Sequence, residues 1–439
     1  MPTPTLDGSK PPLVVLLAGG ASVAVGGPST PSLTDAVWKA LREATEPEQP
    51  ALWGRNLPGE ISRVELLEGA LNETFSKPCN FEQILHGLES MSSLESAWRI
   101  RREPHWSDKV IRPIMHVEGL LTGGPRGGLE RCFNRYWLYA MTNALFGTIH
   151  QDIQAFNGSL PTHRDWPTVK EFVSQLNHEF DAYFITINYD SLIEKALDWD
   201  DAAQGFVAIP DEGVSRFDGH RDPLRLMHLH GSVAFGYRPI SANADGKAET
   251  DPNRFRYEDL FKDLYWHPSP DNAIKTWIGM SPDYNQAGRL LSAGPVITGL
   301  QKTEKLLVEP YLSYMRHSAG LLARTPRLLV IGYGFGDYHI NALLTRMTKW
   351  HGKARRIVVV DHRDEATWEP PEFWSRPEED NFLEILSRWA EEVSFLRLQT
   401  RPSLWQPEGA GREKLRVSFI GLAQGIRKHG SEIGAFLKS

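Results

Sequence analysis

A chain of 439 residues, 41 % hydrophobic and 23 % charged, exceeds one minimal domain and carries enough apolar material for a sizeable core. Its net charge of −7, with no basic stripe, argues against a nucleic-acid surface, because phosphate binding needs concentrated Lys and Arg. Two cysteines, Cys79 and Cys132, exclude a disulfide framework and a four-thiolate zinc site, usage that suits a reducing cytoplasm, and no apolar run nears the ~20 residues that span a bilayer.

Residues 1–12 read as a loose leader. The run L-V-V-L-L at 13–17 has strand length and breaks into Ala18, Gly19, Gly20, Ala21 and Ser22. With A-S-V-A behind it the run has the outline of a signal-peptide core, but Asp7 and a lone cation, Lys10, make a poor flank, and a strand is expected instead. A buried strand, a small-residue turn and a helix let a pyrophosphate approach the backbone. No G-K-[ST] follows and the glycines do not complete G-x-G-x-x-G, although the Ser22 hydroxyl and the amides of Gly20 and Ala21 suit the same work.

An amphipathic helix is expected at 35–42. To about residue 180 the apolar spacing is helical: Phe81, Ile84, Leu85 and Leu88, then Trp98 and Ile100, then Phe133, Trp137, Leu138, Met141 and Leu145, with a flexible connection at 123–128. This block, about 36–180, reads as a helical insertion between the first two strands of a sheet. Strand character returns at 183–187 and ends on Asn188, Tyr189 and Asp190. An amide and a carboxylate at a strand's carboxyl end are candidates for chemistry, or they cap the helix expected at 191–197. A second such strand, 224–229, ends on His230 and Gly231, and a low-complexity polar loop follows at 241–253.

P-V-I-T at 295–298 and a long amphipathic helix at 304–324 lead to the clearest buried strand, 327–331. It opens into Gly332, Tyr333, Gly334, Phe335, Gly336 and Asp337 before a helix from near Tyr338; such glycines let a backbone approach a ligand closely. Lys353, Arg355 and Arg356 read as a solvated turn before a strand at 356–360 that ends on Asp361, and acids at that position often bind ribose hydroxyls. Residues 366–439 read as a small C-terminal extension with an edge strand at 393–398 and a late helix. Alternating strands and helices imply an α/β fold, a Rossmann-like doubly wound parallel sheet with a helical insertion lobe.

Four strand ends thus carry glycine or polar groups: A-G-G-A-S near 20, N-Y-D at 188–190, L-H-G at 229–231 and G-Y-G-F-G-D at 332–337. Their order, with Asn188 and His230 separated by 42 residues, resembles the sirtuin-like family over residues 13–365, and more closely its bacterial anti-phage branch of NAD hydrolases. The resemblance implies a catalytic pair, Asn188 and His230, with Asp190 holding the nicotinamide carboxamide. It also implies a phosphate loop of Gly19, Gly20 and Ser22, an adenosine-side loop of Gly332, Tyr333, Gly334 and Asp337, and Asp361 near the adenine.

Sirtuin deacylases carry a four-cysteine zinc module after the histidine-glycine motif. No cysteine follows Cys132, so no zinc is expected and the peptide-deacylase reading weakens. With water as acceptor the implied reaction is NAD hydrolysis to nicotinamide and ADP-ribose, by a gated cytoplasmic effector of anti-phage defence. The resemblance suggests a HerA-type ATPase in trans, or alternatively a short Argonaute, and self-assembly into a homo-oligomer is plausible, with no direct nucleic-acid or membrane binding. The competing readings are a silent NAD or ADP-ribose binding scaffold and a deacylase or ADP-ribosyltransferase. His228 and His230 form an H-x-H pair like that of metal hydrolases, but no third ligand is evident; a satisfied core histidine is the other reading.

Overall fold

The computed structural model describes residues 10–44, 63–75, 78–99, 135–210, 213–219, 224–236, 264–267, 278–284, 290–293, 296–298, 302, 306–362, 415–418 and 420–439. Six of its strands form one parallel sheet: β1 (Pro12–Leu17), β2 (Asp181–Thr186), β5 (Leu226–His228), β10 (Arg327–Ile331), β11 (Arg356–Val360) and β12 (Leu415–Ser418). Their order is β12-β11-β10-β1-β2-β5. The chain therefore builds outward from β1 through β2 to β5, returns to the other side of β1, and builds outward again. That is the doubly wound Rossmann order, with its switch point between β1 and β10. The α/β fold expected from the sequence is the fold observed.

Alternation along the strands explains why both faces are covered. Val14 and Leu16 of β1, with Leu328 and Val330 of β10, enter one core, while Leu13, Val15 and Leu17, with Leu329 and Ile331, enter the other. All nine are at most 1 % exposed, so a one-residue slip in register would exchange the faces completely. The apolar run 13–17 that outlines a signal core is the centre of this sheet.

Helices α1 (Gly19–Val23), α2 (Thr30–Glu43), α3 (Arg63–Phe75), α4 (Phe81–Arg99) and α5 (Arg135–Ser159) follow β1. Helices α2 to α5 close a core of their own around Trp38, Leu67, Leu85, Trp137 and Leu145. The helical insertion is present, and the expected apolar positions Phe81, Ile84, Leu85, Leu88, Trp137, Leu138, Met141 and Leu145 are all buried. Tyr189, Val233 and Val296 belong to the same core, so loops at the carboxyl edge of the sheet are built into the lobe. The side chain of Trp98, the residues Ile100 and Phe133, and the segments 123–128, 241–253 and 393–398 lie outside the described residues.

On the sheet's faces pack α6 (Trp166–Glu179), α7 (Leu192–Leu197), α8 (Tyr311–Arg324), α9 (Tyr338–His351) and α10 (Leu422–Lys438). Helix α8 starts seven residues later than its apolar pattern predicts, because Pro310 stands at its N-cap and disfavours a helical residue before it. The strands β3 (Phe206–Ala208), β4 (Ser215–Phe217), β6 (Phe235–Gly236) and β7 (Tyr265–Trp266) form an antiparallel side sheet. Strands of two or three residues show no readable period. A further hairpin pairs β8 (Ile278–Tyr284) with β9 (Leu290–Ala293). Arg355, expected in a solvated turn, is 1 % exposed and donates to the Gly352 carbonyl, which caps the turn from within.

Candidate active site

The loops that leave β1 and β10 meet at the switch point, backbone against backbone. Ala18 N donates to Ile331 O at 2.9 Å and Gly20 N to Gly332 O at 3.0 Å. A methyl group on Gly20 would lie 2.7 Å from the Gly332 Cα, and one on Gly332, where φ is +63°, would lie 2.3 Å from the Ala21 nitrogen. Glycine at these two positions is a packing requirement. Gly19, Gly334 and Gly336 differ: a Cβ at any of them would meet nothing within 4 Å, and none has a positive φ. Neither packing nor conformation demands glycine there, so these residues keep an open floor over which a dinucleotide's phosphates could lie.

Beside that floor, β2 delivers Asn188, Tyr189 and Asp190. The Asn188 amide donates to Ala18 O at 3.0 Å and to Ser22 Oγ at 2.8 Å; Ser22 in turn donates to Asp190 Oδ2 at 2.5 Å. Asp190 Oδ1 accepts from the Leu192 amide at 3.1 Å, so the capping expected of this junction is real for Asp190. All three side chains are buried. Burial pushes the Asp190 carboxyl above its ordinary range against the pull of the Ser22 and Leu192 hydrogen bonds. Each of its oxygens thus accepts one hydrogen bond from within the protein, and the Ser22 hydroxyl ties the first loop to the second strand.

The strand β5 sends its two histidines to different places. His228 is fully buried and lies 2.9 Å through Nε2 from Glu194 Oε1, with Nδ1 3.4 Å from the Asn188 carbonyl. Burial opposes its charge, yet the Glu194 carboxylate outweighs this and its pKa is raised. The H-x-H pair does not converge, because the chain leaves β5 after His228 and turns at Gly231, whose φ is +82°. His230 instead meets His339 of α9, Nε2 to Nε2 at 3.0 Å, and its carbonyl is held by the Ile297 amide at 2.8 Å.

Asp337 joins these two imidazoles, and the ligand atoms of His230, Asp337 and His339 lie within 4.8 Å of one another. Lys302 donates to Asp337 Oδ1 at 2.8 Å and sits 2.7 Å from Glu82 of α4, so the lobe reaches into the site. Burial, reinforced by Lys302, holds the His230 pKa down at about 3 and burial lowers that of His339, which leaves both rings neutral near pH 7. Burial works against the charge of Asp337, but the neighbouring rings and Lys302 hold its carboxyl below the usual range.

The sequence-derived candidates therefore fall into two linked groups. Asn188, Asp190 and Ser22 form one with the β1 loop; His230 and Asp337 form the other, where Asp337 was expected on the adenosine side. Asn188 and His230 do not bond each other, but their loops do, through the Val233 amide on Tyr189 O at 3.0 Å. Tyr333 is buried and donates to Asn341 Oδ1 at 2.8 Å, supporting the glycine loop from below. Asp361 ends β11, its amide bonded to Ser418 O of β12, one strand beyond Gly332. His339, Lys302 and Glu82 were not singled out from sequence. His339 alone had a signal, two residues past Asp337 where a glycine loop enters a helix.

Residues 182–385 match the SIR2-like domain family, from β2 to beyond β11. SIR2-like domains bind NAD, and the matched segment is similar to that family. No curated protein matches the chain. Among the described residues, no helix is long and apolar enough to cross a membrane.

Proposed function

We propose that this SIR2-like chain hydrolyses NAD at the nicotinamide–ribose bond, releasing nicotinamide and ADP-ribose. The observation that carries the reading is the company kept at the switch point: the two interlocked glycine loops on one side, and Asn188 and His230 from the neighbouring ends of β2 and β5 on the other. Breaking the bond leaves cation character on the ribose ring, and water must then bond to C1′ and give up a proton. His230 is neutral and has a lone pair to accept that proton, but burial, which holds its pKa down at about 3, makes it a weak base that charge developing on a bound substrate would have to strengthen. The Asn188 amide, fixed by Ala18 and Ser22, is placed to orient the water and ribose hydroxyls without moving itself.

Water is the acceptor in this reading because the sequence has no cysteine beyond Cys132 for the zinc module that shapes a deacylase peptide cleft. Uncontrolled NAD loss would harm the cell that makes the protein. We therefore include gating: an anti-phage effector in the cytoplasm, self-assembled and controlled in trans by a HerA-type ATPase, all of which rests on the sequence resemblance alone.

The test is nicotinamide release from NAD by the purified chain, alone and with a candidate partner. Asn188→Ala and His230→Ala should each lower kcat/KM by about 10² or more, and Asn188→Ala, which removes the buried hydrogen bonds to Ala18 and Ser22, should also lower the melting temperature by a few degrees. NAD binding without release in every condition would make the chain a binding scaffold, and turnover that needs an acyl-peptide would make it a deacylase.

A further inference from the structure

We infer that His230, Asp337 and His339 form a binding site for one divalent first-row transition-metal ion of the zinc or cobalt class, and that the ion, when bound, silences His230. The second clause rests on the hydrolase reading above; the first does not.

Two imidazoles and a carboxylate are the donor set that such ions prefer. Each residue offers one ligand atom, and these atoms lie within 4.8 Å of one another. The 3.0 Å between the two Nε2 atoms is near the spacing of adjacent ligands on one ion: with metal–nitrogen bonds of about 2.1 Å, the nitrogens stand about 3.0 Å apart at a right angle and about 3.4 Å apart at a tetrahedral angle, a small opening of the pair. Without an ion the two rings can share a single hydrogen bond, one as donor and one as acceptor. An ion would engage a lone pair from each.

The site is built on fixed backbone, as a metal site must be. His339 lies in the first turn of the 14-residue helix α9, Asp337 precedes it in the loop from β10, and the Ile297 amide pins the His230 carbonyl. Charge is also provided for. Lys302 occupies Oδ1 of Asp337, but Glu82 sits on the same ammonium, so two carboxylates face one fixed cation before any metal arrives. Three protein ligands leave at least one coordination position open to water.

The consequence for His230 follows from counting its valences. A neutral imidazole has one N–H and one lone pair. A metal on Nε2 takes the lone pair and leaves the proton on Nδ1, so the ring can no longer accept a proton from water. Metal occupancy and the base function of His230 exclude each other.

The test titrates cobalt(II) into the full chain after removal of metals by chelator, reading the visible ligand-field absorption, and then displaces it with zinc. One equivalent should bind; His339→Ala should weaken binding at least tenfold; His339→Cys should restore it and add a thiolate-to-cobalt charge-transfer band that no purely structural role of His339 would produce. No cobalt binding to the folded parent chain overturns the site. So does binding that is unchanged in His339→Ala, or binding by His339→Cys without the thiolate band.

Nicotinamide release, followed in parallel, separates the two readings. Cobalt binding with no turnover under any condition would end the hydrolase reading and leave the site standing. Turnover without cobalt binding would do the reverse. Turnover that persists at saturating zinc would refute the exclusion.

Discussion

Gly332 and Gly334 stand two residues apart in one loop, and their environments predict opposite outcomes for the same substitution. Gly332→Ala puts a Cβ 2.3 Å from the Ala21 nitrogen at a φ of +63°, and the loop must break its lock on Gly20 to relieve it. Strain at one such residue costs on the order of 1–3 kcal/mol and the overlap adds to that, so thermal melting should drop by several degrees. Gly334→Ala meets nothing within 4 Å, and stability should stay within about 0.5 kcal/mol of the parent. If the open space above Gly334 takes the dinucleotide, that same variant should raise KM for NAD with the melting temperature unmoved. An unmoved KM would take Gly334 out of the binding floor.

At this scale the sequence spoke through residue type. Asn188 and His230 stand out as candidates because each follows a buried apolar strand, where a polar side chain has few reasons to be other than a cap or a site. His339, Lys302 and Glu82 do not, because their partners are remote: His230 and His339 are 109 positions apart, and Lys302 finds Asp337 35 positions on. No periodicity encodes such pairings. The tie of Ser22 to Asp190 is equally illegible, since a hydroxyl in a glycine loop reads the same whether it faces a phosphate or a carboxylate.

Among the elements, α10 shows how a late segment is recruited to an early core. Ile433 and Leu437 enter the same apolar layer as Val15 of β1, and the helix is fastened to α6 at both ends, Arg427 on Asp165 and Lys438 on Glu179 at 2.8 Å. The hydrogen bond from Arg427 holds the Asp165 carboxyl below its ordinary range, and that from Lys438 does the same for Glu179. A carboxylate whose folded pKa is depressed contributes stability above the unfolded pKa and loses it as pH falls through the folded one. The two links should thus be intact at pH 7 and fade as the solution is taken below about pH 4.

Both cations are half exposed, so each link is worth only about 0–1 kcal/mol. The double variant Arg427→Gln with Lys438→Gln should lower the urea midpoint at pH 7, with the deficit shrinking in high salt and vanishing only where both carboxylates are protonated, below their lowered pKa values. A deficit that persists there would mean that apolar contacts of the arginine and lysine stems, and not charge, hold the helix. The strand before this helix, L-R-V-S at 415–418, escaped the sequence reading because four residues with one Arg carry little alternation; the long runs 327–331 and 356–360 were read to the residue.

For the molecule as a whole, the sheet and the helical lobe share the site. Tyr189 leaves β2 between Asn188 and Asp190, yet its ring is built into the lobe's core beside Val233 and Val296, and its hydroxyl donates to Ile297 O at 3.3 Å. Glu82 extends from the lobe onto Lys302, which in turn holds Asp337. A ligand at the switch point would therefore stabilise both parts together, by an amount set by mass action: about 2.7 kcal/mol at a hundred times its Kd.

Tyr189→Ala removes the ring that joins them. Emptying a buried aromatic site costs about 3–5 kcal/mol, and the loss should fall on the seam, with the sheet's own core untouched. Tyr189→Phe keeps the ring and should cost about 1 kcal/mol, the worth of one hydrogen bond. Melting each variant with and without a non-hydrolysable NAD analogue gives the decisive comparison: the phenylalanine variant should keep most of the ligand-induced shift, and the alanine variant should lose it. An equal shift in both would mean that ligand binding draws on the sheet alone, and that the lobe is not needed to form the site.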